Sequence, residues 1–197
     1  ELAGRSDVGM DRAELPPVAA APGEGIGSAP GTDDRPVIVV FGDSLSAGFG
    51  LLPGEAFPDH LQKLLDKDGL RYRIVNQGIS GDTTSGGLAR VDQALALHPK
   101  VVLLELGGND GLRGIPPKAI RENLDQMIQK FTAQRAQVVL LGMSLPRNYG
   151  DDYVRQFEKN YSELARKHDL ELVPFLLKGI WNETGATPGM VQDDGIH

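Results

Sequence analysis

The chain has 197 residues, 40% of them apolar and 24% charged, with a formal net charge of −7. That length buries the core of one domain, and the acidic balance argues against a nucleic-acid binder, which needs clustered Lys and Arg. No apolar run reaches the roughly 18 residues of a membrane-crossing helix. The absence of cysteine excludes disulfides, thiolate nucleophiles and cysteine-based metal sites.

Residues 1–34 are rich in Ala, Gly and Pro (LPPVAAAPGEGIGSAPGTDD) and show no sustained period. They read as a flexible tether, either one that follows a secretion or lipoprotein signal or a ragged terminus without a role. The first residue is Glu1, not Met, so an N-terminal piece is expected to have been processed or omitted. From Arg35 onward, residues 35–197 read as one domain of alternating strands and helices. Pro36 to Phe41 is a continuous apolar run ending at glycine. Ala56 to Asp66 has Phe57, Leu61, Leu64 and Leu65 at helical spacing. A short strand follows at Tyr72 to Val75, and then a helix from Leu88 to Leu97 that stops before Pro99. VVLLEL, Val101 to Leu106, is a strand running into two glycines. Pro117 to Phe131 is amphipathic through Ile120, Leu124, Met127, Ile128 and Phe131. Val138 to Met143 is a strand, Asp152 to His168 a helix, and Leu170 to Val173 a last short strand.

Such alternation predicts an α/β fold: βαβ units, a mostly parallel sheet and helices on both faces. The unbroken apolar strands fit burial on both sides. Ligands in these sheets bind beyond the carboxyl ends of the strands, which is where the unusual residues fall. GDSLSAG with Ser44 follows the first strand, GISGD with Gly81 the second, and GGND with Asn109 the third. Each alone also reads as a turn. The chain closes with DDGIH, in which Asp194 and His197 stand three residues apart. A tight turn at that spacing brings carboxylate and imidazole together, leaving the other ring nitrogen for a serine proton; an isolated Asp-x-x-His is otherwise a solvated tail. His60, His98 and His168 have weaker cases. His98 ends a helix and His168 lies in a charged helix end, where solvation is expected. No metal-ligand spacing such as HExxH occurs.

In this order the four blocks resemble the SGNH hydrolases, also called the GDSL esterase/lipase family. The resemblance runs from about Pro36 to His197. GDSLSAG, ISGDT, LELGGNDGLRG, LPRNYG and QDDGIH are most similar to the bacterial periplasmic thioesterase I/lysophospholipase and arylesterase branch. It implies a three-layer α/β/α, flavodoxin-like fold with a sheet of about five strands. It also implies a serine esterase acting on ester and thioester bonds of short to medium acyl substrates through an acyl-enzyme. Ser44 is then the nucleophile, His197 the base and Asp194 its orienting carboxylate, with Asp193 the rival. The oxyanion donors are the Ser44 and Gly81 backbone N–H groups and the Asn109 amide. Asp43, Asp82 and Asp110 are expected to shape loops. No cofactor or metal is required, and the partner is a small acyl ester or thioester.

Trp181, Ile180 and Met190 either line an acyl groove or belong to the core. The loops Leu145 to Tyr149 and Phe175 to Trp181 are expected near the site. By resemblance the location is periplasmic or secreted, as a lipoprotein if an anchor precedes the tether. A carbohydrate O-acetyl esterase is the alternative within the fold, and a non-catalytic binding module is the alternative outside catalysis. Members of the family continue past this histidine with a final helix. Ending at His197, the chain is expected to be a fragment, less stable and less active than a version carrying that helix.

Overall fold

Val37–Gly42 (β1) is buried at all six positions, as expected of a strand covered on both faces. It lies inside a five-stranded sheet with Arg73–Asn76 (β2), Val101–Glu105 (β3), Gln137–Leu141 (β4) and Glu171–Val173 (β5). The order is β2-β1-β3-β4-β5, and every pairing is parallel. The structure is a computed structural model that describes residues 33–182 and 185–197. The expected tether therefore lies outside the described residues except at its last two positions.

The strand order reverses between β1 and β3, because β2 adds to one side of β1 and β3 to the other. Right-handed crossovers place the connecting helices of the two directions on opposite faces. Thr84–Leu95 (α3), Pro117–Ala133 (α5) and Asp151–His168 (α6) supply one layer. Their Val91, Met127, Phe131, Phe157 and Leu164 pack with Val39, Phe41, Val102, Leu104 and Leu140 of the sheet. Phe41 meets Phe131 edge-on at 5.6 Å between ring centroids, a favoured aromatic geometry.

Phe57–Lys67 (α2) serves the other face beside β2. Its apolar stripe is Phe57, Leu61 and Leu65, all part-buried. Leu64, expected to point inward, is 56% exposed. The i, i+4, i+8 row is the one that meets the sheet, and Leu64 lies off it. Cover on this face is thinner: Val101, Leu103 and Val139 are only part-buried and Val173 is exposed. Two short helices escaped the periodicity, Ser44–Ala47 (α1) and Gly108–Leu112 (α4). So did the two-stranded pairing of Trp181–Asn182 (β6) with Gly185–Ala186 (β7). Each is too short to show a period.

Candidate active site

The reversal between β1 and β3 opens a crevice at their carboxyl ends, and both α1 and α4 start there. Asp43 caps α1, its Oδ1 accepting from Leu45 N at 3.1 Å. Ser44 is the first helical residue and is 7% exposed. The second serine of GDSLS, Ser46, is fully buried and donates to Glu105 Oε2 at 2.8 Å. The same oxygen accepts from Asp43 N at 3.1 Å. A Cβ on Gly42 would lie 2.2 Å from Ser46 Oγ and 2.4 Å from Glu105 Oε2. Glycine is required at this point so that the end of β3 can close onto the turn carrying Ser44.

Glu105 is fully buried, and its carboxyl is held well above the ordinary range by burial and then by the Asp43 carboxylate. Burial likewise raises Asp43, against the lowering effect of its hydrogen bonds with Leu45 and Asn109. A raised carboxyl stabilises the fold most below the unfolded value near ~4.3, and that contribution is lost as pH rises towards the folded value. Glu105→Gln keeps an acceptor and removes this ionisation. Its melting temperature is expected to gain on the parent's as pH is raised above the unfolded value near ~4.3 and through neutrality. Glu105→Ala is expected to be destabilised instead, because the Asp43 N–H and Ser46 hydroxyl lose their acceptor, at about 1–3 kcal/mol each. Thermal unfolding across that range checks both; a constant difference for the glutamine variant would show that Glu105 is ionised in the fold.

Asn109 sits in the first turn of α4, where its Nδ2 donates to Asp43 Oδ2 at 3.1 Å. An amide nitrogen carries two hydrogens, so a second remains to donate. The neighbouring Asp110 accepts from Thr84 N at 2.8 Å and Thr84 Oγ1 at 2.6 Å, tying α4 to the start of α3. Gly81 adopts φ +79, which glycine reaches without strain. Its carbonyl accepts from Arg113 Nη2 at 3.0 Å.

The loop carrying Gly81 is clamped by Arg90, which sequence reasoning missed. Arg90 donates through Nε to Asp82 Oδ2 at 2.7 Å, through Nη1 to Gln77 O at 2.8 Å and through Nη2 to Gly42 O at 3.0 Å. Its guanidinium carbon lies 4.0 Å from the Phe41 ring centroid. One side chain thus joins the Gly81 loop to the end of β1. Asp43, Asp82 and Asp110 all make such fixing contacts.

The C-terminal segment brings the imidazole to Ser44. His197 Nε2 lies 2.7 Å from Ser44 Oγ and Nδ1 lies 2.6 Å from Asp194 Oδ2. Asp194 Oδ1 also accepts from the backbone of Ile196 at 2.9 Å and His197 at 3.0 Å. The contact with His197, and then these backbone bonds, hold the Asp194 carboxyl at about 2, so it is ionised throughout the neutral range. The carboxylate on the ring is that of Asp194, not Asp193. Gln192 N donates to His197 O at 2.5 Å, and the Phe49 ring lies 4.6 Å from the imidazole at 39°.

Three further expectations meet the structure here. Met190 lines the cleft beside Ser44, whereas Trp181 pairs with Ala186 in the β6–β7 hairpin. The loop after Leu145 reaches α4 through Tyr149, whose hydroxyl donates to Leu112 O at 3.1 Å. His168, expected to be solvated, instead lies with Nε2 2.5 Å from Asp125 Oδ1, because the last turn of α6 packs beside α5.

The profile of the GDSL-like Lipase/Acylhydrolase family matches residues 40–197. The chain belongs to that family. As a member of the GDSL-like acylhydrolases it is an ester-bond hydrolase. Esterase TesA of Pseudomonas aeruginosa is 47% identical over 161 residues, which are 81% of this chain and 78% of that protein. The Escherichia coli thioesterase 1/protease 1/lysophospholipase L1 is 41% identical over 161 residues, 81% of this chain and 74% of the other. The crystal structure of AlinE4, an SGNH-hydrolase family esterase, superposes with a TM-score of 0.77 at 40% identity. That match covers 83% of this chain and 86% of AlinE4. The five-stranded parallel sheet flanked by helices is therefore the SGNH-hydrolase fold. Among the described residues, no helix of this acylhydrolase is long and apolar enough to cross a membrane.

Proposed function

We propose that this GDSL-family hydrolase is a serine esterase cleaving carboxylic esters, and thioesters of the same acyl groups, through an acyl-enzyme on Ser44. The observation that carries the reading is the unbroken contact chain Ser44 Oγ–His197–Asp194, at 2.7 and 2.6 Å. His197 takes the serine proton as Oγ attacks the carbonyl carbon. Asp194, ionised, fixes the ring and stabilises the imidazolium that forms. Negative charge grows on the carbonyl oxygen, where preplaced donors lower the barrier. The Ser44 and Gly81 backbone N–H groups and the second Asn109 amide hydrogen serve there. The C–O or C–S bond then breaks as His197 returns the proton to the leaving atom. Water repeats the sequence on the acyl-enzyme.

Short to medium acyl chains are the substrates this reading favours, and a periplasmic or secreted location follows from the resemblance. The reading is tested with p-nitrophenyl esters of increasing chain length, acyl-CoAs and lysophospholipids on purified protein. Turnover of the esters is expected. Deacetylation of acetylated sugars alone, with no turnover of longer acyl esters, would replace it with a carbohydrate O-acetyl esterase. No turnover of any ester would overturn it.

A further inference from the structure

Residues 188–197, which carry Asp194 and His197, form neither helix nor strand, and Asp193 to Ile196 are exposed. Among the described residues, none after Leu177 belongs to the buried core or packs against it. Met190 and Val191 share the walls of an open cleft with Phe49 and Leu51 beside Ser44, but Met190 is 61% and Phe49 50% exposed, so apolar cover holds the segment weakly. Among the described residues, two side-chain hydrogen bonds join it to the remainder of the fold. One is the contact of His197 Nε2 with Ser44 Oγ. The other runs from Gln192 Nε2 to Phe49 O at 2.8 Å. The geometry points to Gln192 as the positioning residue of the catalytic base, holding His197 in register with Ser44 without touching the reacting atoms. The inference rests on the acyl-enzyme reading above.

Gln192 closes the turn that holds both residues. Its backbone N–H donates to His197 O at 2.5 Å, and its carbonyl accepts from Gly195 N at 3.0 Å. Its side chain then leaves the turn for Phe49, whose own N–H donates to Ser44 O at 3.0 Å. Three hydrogen bonds thus link the backbone of the nucleophile to the backbone of the base, through Phe49 and Gln192. Gly50 makes the approach possible. At φ +78 it carries no side chain, and a Cβ there would lie 2.6 Å from Gln192 Oε1 and 2.8 Å from Nε2.

The two links do not last equally through the reaction. Acylation takes the proton from Ser44 Oγ, so the hydroxyl no longer donates to a neutral imidazole. This is the stage at which His197 must activate water. None of the three bonds through Gln192 involves the imidazole or Oγ, and all of them persist. An exposed segment with little buried apolar surface opens locally at low cost. Gln192 is therefore needed most in deacylation, when the direct link to Ser44 is gone.

The test compares the parent with Gln192→Ala and Gln192→Met, the second keeping the length of the side chain but not the donor. Acylation is followed by the pre-steady-state release of p-nitrophenol from one ester. Deacylation is followed by decay of the acyl-enzyme in mass spectra. Both variants are expected to deacylate about tenfold to a hundredfold more slowly, the cost of a misplaced catalytic group. Acylation should slow by less, so that kcat falls more than kcat/KM, KM falls and the burst keeps its full amplitude. The melting temperature should stay close to the parent's, because the segment lies outside the core. Unchanged deacylation would overturn the inference, as would a methionine variant with parent rates, which would leave only side-chain bulk at work. Equal losses in both steps, or a burst amplitude that fell with the melting temperature, would make Gln192 a structural residue only and overturn it too. Should Ser44→Ala turn over the ester as fast as the parent, the acyl-enzyme reading fails and this inference with it; turnover that depends on Ser44, with unchanged deacylation in both variants, sinks the Gln192 assignment alone.

Discussion

Ser44→Ala is expected to lower kcat by on the order of 10⁴- to 10⁶-fold, the scale seen when the nucleophile of a serine triad is removed. The fold should survive, because Ser44 Oγ bonds to His197 at the crevice while the packing of the α1 turn depends on Asp43, Ser46 and Glu105. The melting temperature of the variant should therefore stay close to the parent's, and that pairing of lost turnover with kept stability is the informative result. A purified variant that retained several per cent of parent activity would remove Ser44 from the nucleophile's role.

Asn109→Ala is expected to reduce kcat by about 10²- to 10³-fold, the loss found for one oxyanion donor, with a smaller change in KM. The charge that the amide meets develops only as the carbonyl is attacked, so the loss belongs to the transition state. A second consequence is local. Asp43 loses the hydrogen bond from Asn109 at 3.1 Å, one of the contacts that keep its carboxyl from rising further. Steady-state kinetics on one chromogenic ester separate the cases. A large KM rise at unchanged kcat would make Asn109 a ground-state contact instead.

Much of this was legible in the sequence because the fold and the site write themselves locally. The fully buried β1 and the more thinly covered β3 and β4 appear as apolar runs, and glycine-bearing blocks follow β1, β2 and β3. Asp194 and His197 are neighbours in the chain as well as in space. What could not be read depends on partners far apart in the chain. Glu105 stands in an apolar strand with nothing beside it to explain a carboxyl; its partners Ser46 and Asp43 are 59 and 62 residues earlier. It is the one charged residue in VVLLEL, and that break in the run was the available signal. Arg90 sits in a helix where arginine ordinarily faces water, and only the folded β1 end, 48 residues away, turns it inward. Phe49 and Leu51 lie in an aperiodic loop. Their meeting with Met190 waits on the C-terminal segment folding back over Ser44. Leu64 shows the converse, since helical spacing alone does not say which of two adjacent rows a thin layer will cover.

The proposed mechanism passes through a covalent acyl-enzyme on Ser44 with His197 as the base. Its most direct test is to trap that intermediate. The protein is mixed with excess p-nitrophenyl ester or with an aryl phosphonate, quenched in acid and digested, and the modified peptide is sequenced by mass spectrometry. One adduct is expected, on Ser44, formed with a stoichiometric burst of phenol and absent from both Ser44→Ala and His197→Ala under the same exposure. An active protein that carried its adduct on another residue, or that turned over ester with Ser44 never modified, would contradict it.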